Sequence, residues 1–295
     1  MTHKQFDILE ILALEGTISQ RQIKDRLGVS VGLVNKVMKE LTELGYVIEG
    51  AITEEGRRAL EPYRAKRAVF LAAGFGTRLV PITFNAPKPL VRVKGQRIID
   101  GLIDACLKAG INEIYIVRGH LAEQFDQLLY KYPMVKFLEN PSFNEANNIG
   151  SAMVARYMLS NAYVLESDIL LHNIDIIKPY HYCSNFLGIK KQRVDDWCCT
   201  VKEGVIVDEQ LGGEGDNVYQ MVGISYWDEA DGHKLSQDIK EVFEAPGGKE
   251  RYWEQVPLVY RKERYKVEIR ECLDTDLDEI DTFRELKTID PTYNV

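Results

Sequence analysis

The chain has 295 residues, 45% of them hydrophobic, which allows two soluble globular domains with buried cores. Its 37 Lys and Arg against 45 Asp and Glu give a formal charge of −8, which argues against nucleic acid or an anionic membrane as the main partner. The five cysteines contain no Cys-x-x-Cys pair, and there is neither a signal-peptide pattern nor a long apolar run. A zinc site, a disulfide framework and a membrane span are therefore not expected, and the protein is predicted to be cytoplasmic.

The first sixty residues contain three segments with the apolar spacing of amphipathic helices. Ser19 and Ser30 are placed to cap the second and third helices, and Gly45 ends the third. Strand-forming residues follow at 46–52, and a short helix is predicted at 53–60. Three helices and a small hairpin are the outline of a winged helix. The string GYVIEGAITEEGRRAL also resembles the wing of bacterial winged-helix regulators.

A polar linker at 61–66 separates this region from a different pattern, and we predict domains at 1–64 and 65–295. From Arg67 onward, apolar strand-like runs alternate with amphipathic helical stretches such as 98–109 and 121–130. This alternation predicts an α/β fold with a Rossmann-like, mostly parallel sheet covered by helices on both faces.

The first strand of that region, AVFLAA, runs directly into the loop GFGTRLVPITFNAPKPL. A glycine-rich loop at the carboxyl end of a strand is where an open α/β sheet binds phosphate groups. Gly74 and Gly76 permit close approach of the backbone, and Arg78 adds a permanent cation. The loop is not a dinucleotide fingerprint, because Leu79 occupies the third glycine position, and it lacks the Gly-Lys-Ser/Thr of a P-loop.

The whole string L-A-A-G-x-G-x-R-L-x-P-x-T, with Lys88 between two prolines, resembles the signature of nucleotidyltransferases that activate sugar phosphates and phosphocholine. The resemblance implies an enzyme that joins a nucleotide to a small phosphorylated molecule and releases pyrophosphate. It assigns Arg78 and Lys88 to phosphate neutralisation during catalysis. It assigns nucleotide binding to the loop residues Leu71, Ala72, Ala73, Gly74, Gly76 and Thr77.

Two acidic positions are candidate ligands for Mg²⁺. Asp168 ends the strand YVLESDIL, and a carboxylate at the carboxyl end of a strand points into the ligand crevice. Glu166 lies two residues earlier and is the weaker candidate. The resemblance implies a second position late in the chain, and Asp281 in DEIDTFREL matches it, although Asp281 would also serve as a helix N-cap.

A narrower likeness concerns the nucleotide and the acceptor. The strings HLAEQFDQL, FLENPSFNEANNIGSA, GISYWDEADG and RYWEQV resemble segments of bacterial CTP:phosphocholine cytidylyltransferases. That likeness implies CTP as the donor and places Asn147, Asn148 and Ser151 near the nucleotide.

Aromatic rings are the best partners of a trimethylammonium group, so the aromatic residues of the second half of the chain indicate an acceptor that carries an amine. The second half of the chain supplies the aromatic candidates Trp197, Tyr226, Trp227, Tyr252 and Trp253, and Lys202 is a candidate partner for the acceptor phosphate. Phosphocholine is the favoured acceptor. Phosphoethanolamine, 2-aminoethylphosphonate and a sugar 1-phosphate are the alternatives.

The rival function is a DNA-binding regulator whose C-terminal domain senses a nucleotide. Residues 1–65 hold nine Lys and Arg against ten Asp and Glu, whereas a DNA-binding module usually has a basic face. The candidate DNA contacts are Ser30, Val31, Asn35, Lys36, Lys39, Arg57 and Arg58. The alternative is a dimerisation or a regulatory module, and the first of these would make the protein a homodimer.

Overall fold

The structure is a computed structural model, and it describes residues 1–294 in eight α-helices and fifteen strands. The helices are α1 (His3–Glu15), α2 (Gln20–Leu27), α3 (Val31–Glu43), α4 (Glu54–Leu60), α5 (Ile98–Lys108), α6 (Ile149–Ala155), α7 (Glu229–Glu244) and α8 (Phe283–Ile289). The strands are β1 (Val47–Ile48), β2 (Ala51–Ile52), β3 (Arg67–Leu71), β4 (Arg92–Val93), β5 (Gln96–Arg97), β6 (Glu113–Arg118), β7 (Lys136–Glu139), β8 (Ala162–Glu166), β9 (Ile169–Leu171), β10 (Asn185–Lys190), β11 (Arg193–Lys202), β12 (Val205–Glu214), β13 (Val218–Trp227), β14 (Glu268–Cys272) and β15 (Leu277–Glu279). None of the helices in residues 1–294 is long and apolar enough to cross a membrane.

The chain forms two compact units. The first contains Met1–Arg64 together with the short segment Tyr180–Tyr182. The second contains residues 65–179 and the chain from Cys183 onward.

The first unit has the three helices, the small hairpin β1–β2 and the following short helix that the sequence predicts. Ser19 and Ser30 cap α2 and α3 through their hydroxyl oxygens, as expected from their positions. Gly28 ends α2 with a φ of 62°, a left-handed conformation that favours glycine at this position. The winged-helix architecture predicted for this region is therefore present.

The segment Tyr180–Tyr182 completes the core of this first unit. Tyr180 is buried in it, and the ring of Tyr182 stacks on that of Tyr63, with centroids 5.6 Å apart and planes at 9°. Tyr182 also packs against Phe6 at 5.6 Å. The packing of this unit thus depends on aromatic residues that lie more than a hundred positions away in the sequence.

The second unit is built on a nine-stranded sheet with the order β10-β14-β12-β11-β13-β8-β3-β6-β7. Strands β8, β3, β6 and β7 are parallel to one another, as predicted. The sheet as a whole is mixed, not mostly parallel, because β11 pairs antiparallel with both β12 and β13, and β13 pairs antiparallel with β8 and β10. The predicted α/β architecture is correct; the main parallel half of the sheet consists of β8, β3, β6 and β7, and β10 and β14 form a separate parallel pair at the opposite edge.

Helices cover both faces of the parallel half, and two hydrophobic clusters mark the two sides. One contains Phe70 of β3 with Ile99 and Leu102 of α5. The other contains Val69 of β3 with residues of α6 and α7, including Leu235. Alternation along β3 thus sends successive side chains into opposite cores, as expected for a strand buried on both faces.

The topology brings the chemically important segments to one edge of the sheet. Strands β3 and β8 are parallel and in register, with Leu71 opposite Glu166, so both end at the same edge. Strand β9 continues beyond Asp168 and pairs antiparallel with β15, which sets Glu279 opposite Ile169. The late acidic segment therefore lies beside the end of β8.

Candidate active site

The glycine-rich loop is held in shape by contacts that only glycine permits at position 76. Gly76 has a φ of 61°, and a Cβ atom there would lie 2.9 Å from Thr83 Cγ2 and 3.1 Å from Lys88 Cβ. The hydroxyl of Thr83 donates to the carbonyl oxygen of Gly76 at 2.8 Å. This close packing brings the start of the loop against the segment that carries Lys88.

The loop lines a cavity of about 410 Å³. The predicted site residues that line it are Leu71, Ala72, Ala73, Gly74, Gly76, Thr77, Arg78, Lys88, Asn147, Asn148, Ser151, Asp168 and Asp281. Its wall also contains Phe75, Asn140 and Phe143, which the motif analysis did not identify, and Tyr252, which was expected on the acceptor side. The structure thus brings together residues that are up to about two hundred positions apart in the sequence.

Lys88 connects the loop to the acidic residues. Its Nζ donates to Asp168 Oδ2 at 2.7 Å and to Asp281 Oδ1 at 3.0 Å, and Arg78 donates to the same Asp281 oxygen at 2.7 Å. Burial disfavours the charged amine, but the charges and hydrogen bonds of the two aspartates outweigh it and raise the pKa of Lys88. Lys88 is therefore a permanent cation at the floor of the cavity.

Three carboxylates lie together beside Lys88. One ligand oxygen from each of Glu166, Asp168 and Glu279 falls within 4.8 Å of the other two. Asp168 Oδ1 is buried without a hydrogen-bond partner among the described residues. Burial raises the pKa of Glu166 and of Glu279, and the neighbouring carboxylates, Asp168 first among them, raise each further.

This arrangement fits a divalent cation. Clustered hard oxygen ligands, one of them unpartnered, match the preference of Mg²⁺, and a cation would remove the mutual repulsion of the carboxylates. Asp281, the predicted second ligand, lies outside the group of three and is engaged by Arg78 and Lys88 instead. Glu279 is the third carboxylate of the group instead, because the pairing of β15 with β9 brings Glu279 opposite Ile169, the neighbour of Asp168.

A second cavity, of about 350 Å³, adjoins the first and shares with it Arg78, Glu166, Tyr252 and Asp281. Its other lining residues are the aromatic and apolar Phe186, Trp197, Met221 and Trp253, the small Gly223, and the acidic Asp196, Glu254 and Glu279. The ring of Trp197 meets that of Tyr252 edge-on at 5.4 Å, and Trp253 stacks on Phe186 at 6.1 Å. The two cavities therefore meet at Arg78, Glu166 and Asp281, beside the carboxylate cluster.

Three of the predicted acceptor contacts are not in this second cavity. Tyr226 and Trp227 are fully buried, and each lines neither cavity. They lie on β13 opposite Tyr163 and Ala162 of β8, in the interior of the sheet, where both faces are covered. Lys202 is exposed at the end of the β11–β12 hairpin, also outside both cavities. We therefore reassign Tyr226 and Trp227 to packing and Lys202 to the surface.

Comparison with known proteins places this geometry in a family. Residues 67–173 match the family described as Nucleotidyl transferase, and residues 1–48 match that described as Winged helix-turn-helix DNA-binding. The chain is 32% identical over 230 residues to the 2-aminoethylphosphonate cytidylyltransferase of Lancefieldella rimae, covering 77% of this chain and 92% of that protein. It is 29% identical to the choline-phosphate cytidylyltransferase of Streptococcus pneumoniae, covering 76% of this chain and 97% of that protein.

A solved structure gives the same result for the fold. The CTP:phosphocholine cytidylyltransferase from Streptococcus pneumoniae superposes with a TM-score of 0.70 at 27% identity, covering 78% of this chain and 99% of that one. The family resemblance and the fold class predicted from the sequence are thus confirmed. The chain belongs to the nucleotidyl transferase family and is a nucleotidyltransferase preceded by a winged helix-turn-helix segment.

Proposed function

We propose that this enzyme transfers CMP from CTP to a phosphate or phosphonate oxygen of a small amine-bearing acceptor and releases pyrophosphate. The observation that carries the proposal is the junction of two cavities at one cluster of charges. The loop cavity offers backbone amides and two cations for a triphosphate, and the adjoining cavity offers aromatic rings and carboxylates for a cationic molecule. An acceptor held in the second cavity would present its anionic end to Arg78 at the shared wall.

The chemistry requires little beyond positioning and charge neutralisation. An acceptor oxygen that is already ionised attacks the α-phosphorus of CTP in line, a new P–O bond forms, and the bond to the pyrophosphate leaving group breaks. No general base is required for an ionised nucleophile. Arg78 and Lys88 reduce the repulsion between two anionic reactants and stabilise the charge that develops on the phosphates.

The carboxylates complement these cations. Members of this family use a divalent metal, and we propose Mg²⁺ held by Glu166, Asp168 and Glu279. The ion would supply charge neutralisation for the phosphate oxygens of the nucleotide. Asp281 would orient Arg78 and Lys88, since it accepts hydrogen bonds from both.

We propose that the acceptor is a small amine-bearing phosphate or phosphonate, with phosphocholine and 2-aminoethylphosphonate as the two leading candidates. The sequence analysis favours phosphocholine, and relatives are named for choline phosphate and for 2-aminoethylphosphonate. With Tyr226 and Trp227 in the core, the aromatic wall consists of Phe186, Trp197, Tyr252 and Trp253. The carboxylates Asp196 and Glu254 in the same wall would serve either a quaternary or a primary ammonium, so we compare both acceptors directly.

The test is pyrophosphate release from each of the four nucleoside triphosphates with Mg²⁺. The acceptor panel contains phosphocholine, phosphoethanolamine, 2-aminoethylphosphonate and a hexose 1-phosphate, and the product is identified by mass. We expect turnover with CTP and at least one amine-bearing acceptor. Preferred use of the hexose phosphate, or of another nucleotide, would contradict the proposal.

A second function, DNA binding by the winged helix, is supported by the match of residues 1–48. Asn35, Lys36 and Lys39 are exposed on α3, the helix that would enter a major groove. However, Lys36 lies 4.0 Å from Glu40, and Lys39 lies 3.8 Å from Glu43, which reduces the positive field of that helix. Gel-shift titration of the protein with its own upstream DNA at two salt concentrations tests this function, and binding without salt dependence would count against it.

We propose that the reaction takes place in the cytoplasm, a location that the five free cysteines fit. Whether the chain acts as a monomer or as a homodimer is checked by light scattering with and without CTP.

A further inference from the structure

Asn148 has a hydrogen-bonding pattern that differs from the one expected of a nucleotide contact. Its amide Nδ2 donates to Glu166 Oε1 at 3.3 Å and to Glu254 Oε2 at 3.3 Å, and its Oδ1 accepts from the backbone N–H of Trp253 at 2.8 Å. A backbone N–H can only donate, so Oδ1 of Asn148 must face Trp253 and the amide nitrogen must face the two carboxyl groups. Both of its N–H groups are therefore engaged within the protein.

The partners of Asn148 belong to two different parts of the site. Glu166 is one of the three carboxylates of the candidate metal cluster. Trp253 and Glu254 line the second cavity, where we propose that the acceptor binds. A single side chain thus links the metal cluster to the wall of the acceptor cavity.

The neighbouring Asn147 strengthens the same link. Its backbone N–H donates to the carbonyl oxygen of Lys249 at 2.8 Å, and its Oδ1 accepts from the backbone N–H of Asn148 at 2.7 Å. Its Nδ2 donates to the carbonyl oxygen of Glu250 at 3.4 Å. The start of α6 is therefore attached at several points to the segment that leads into Trp253.

We propose that Asn148 is a positioning residue that fixes Glu166 in the metal cluster and Trp253 and Glu254 in the acceptor wall, and that it does not recognise the nucleotide base. This inference rests on the proposed function for the identity of the second cavity. It replaces the prediction from the sequence that Asn148 binds the nucleotide. The physical basis is that two neighbouring carboxylates are held by one donor group, whose loss leaves both without that hydrogen bond.

Two substitutions separate the parts of this role. Asn148→Ala removes both hydrogen-bond donors of the amide together with its hydrogen-bond acceptor, Oδ1. Asn148→Asp keeps an oxygen that can accept from the Trp253 N–H, but it removes both donors and adds a carboxylate next to Glu166 and Glu254. If only the backbone contact matters, the Asp variant behaves like wild type. If the link between the carboxylates matters, the Asp variant is impaired at least as much as the Ala variant.

The kinetic experiment measures the Michaelis constants for CTP and for the best acceptor at saturating Mg²⁺. We expect kcat/KM for the acceptor to fall by about 10- to 100-fold in both variants, the usual effect of losing a group that orients metal ligands. The KM for CTP should change by less than about threefold, since no nucleotide contact is lost. A rise in the KM for CTP with an unchanged acceptor KM would overturn the proposal and restore the nucleotide role.

A second measurement does not depend on turnover. Calorimetric titration of the substrate-free protein with Mn²⁺ should give an affinity about tenfold lower in Asn148→Ala than in wild type. Asn112→Ala, an exposed asparagine with one local hydrogen bond, is the matched control and should leave the affinity unchanged. Wild-type Mn²⁺ affinity in Asn148→Ala would contradict the link to Glu166.

The two measurements also separate failure of this inference from failure of the proposed function. If the wild-type protein turns over no acceptor with CTP, the proposed function fails, while the Mn²⁺ titration still tests Asn148. If the Ala variant does not fold, the kinetic comparison of wild type with the Asp variant carries the test, because the Asp variant keeps an oxygen that accepts the hydrogen bond from the Trp253 N–H.

Discussion

Lys88 and Asp168 form a hydrogen-bonded ion pair, with 2.7 Å between Nζ and Oδ2. Both side chains are largely buried, with 12% and 18% of their surfaces exposed. The pair joins the glycine-rich loop to the carboxylate cluster, since Lys88 comes from the loop and Asp168 follows the end of β8 beside β3. On the proposed function, a charge change on either partner should affect both nucleotide binding and metal binding.

Replacing Lys88 with Ala should lower kcat by a few orders of magnitude, because phosphate charge would be left uncompensated in a site shielded from water. It should also destabilise the protein, because breaking a buried ion pair leaves Asp168 and Asp281 without their shared cation. Thermal unfolding with and without Mg²⁺ checks the second effect. We expect Mg²⁺ to stabilise the variant more than the wild type. An unchanged rate with lowered stability would make Lys88 structural.

Glu279 and Asp281 should respond differently to neutralisation, although they are only two residues apart. Glu279→Gln removes a member of the carboxylate cluster and should lower the affinity for Mn²⁺ by about tenfold or more. Asp281→Asn removes the acceptor of Arg78 and Lys88 and should chiefly raise the KM for CTP. Calorimetry with Mn²⁺ and steady-state kinetics on both variants check this division. The reverse pattern would assign the metal to Asp281, as the sequence predicts.

The acceptor wall can be tested at Trp197, which is partly exposed and meets Tyr252 edge-on. Trp197→Leu should raise the KM for the acceptor by about threefold to thirtyfold, since a cation over an aromatic ring is worth up to about 2 kcal/mol. The KM for CTP should change little. Lys202→Ala is the control, because Lys202 lies outside both cavities, and a large effect of that substitution on the acceptor KM would contradict its placement on the surface.

Parts of the site whose residues lie close together in the sequence could be predicted, and parts that the fold assembles from distant residues could not. The glycine loop could be predicted because Gly74, Gly76 and Lys88 lie within fifteen positions and form a continuous signature. Nothing in the sequence favoured Glu279 over Asp281 as the proposed metal ligand, because the position of Glu279 depends on the pairing of β15 with β9. Likewise, Trp227 lies in the core because β13 is an interior strand of the sheet, whereas Trp253, in the segment after α7, lines the second cavity, and neither place follows from the local sequence.

The winged-helix unit should lose stability when Tyr182 is replaced by Ala. The substitution removes a ring that stacks on Tyr63 and packs on Phe6, and loss of such partly buried aromatic contact costs about 1–3 kcal/mol. Hydrogen exchange of the α1 amides, measured by mass spectrometry, should accelerate accordingly. Tyr130→Ala is the matched control, since Tyr130 is 97% exposed. Equal exchange rates in the two variants would show that the segment Tyr180–Tyr182 is not needed for this unit.

Glu209 makes the stability of the second unit depend on pH. It lies on β12 and is 8% exposed, and neither of its carboxylate oxygens has a hydrogen-bond partner among the described residues. Burial, with a smaller contribution from the charge of Asp208, raises the pKa of Glu209 from 4.5 to about 7. The carboxyl group of Glu209 therefore ionises at a lower pH in the unfolded chain than in the folded protein. The contribution of Glu209 to folding stability should be constant below about pH 4.5 and should fall as the pH rises from there through about 7.

The size and sign of this effect can be measured with Glu209→Gln, which cannot ionise. A shift of this size corresponds to at most about 3 kcal/mol, so the variant should gain up to that amount relative to wild type between pH 5 and pH 8. Urea unfolding followed by tryptophan fluorescence reports on the correct unit, because Trp197, Trp227 and Trp253 all belong to it. Glu214→Gln, at an exposed position on the same strand, corrects for the general effect of removing a carboxylate. If the relative stability of the Glu209 variant does not increase between the two pH values, Glu209 is ionised in the folded protein and has a partner that the burial argument leaves out.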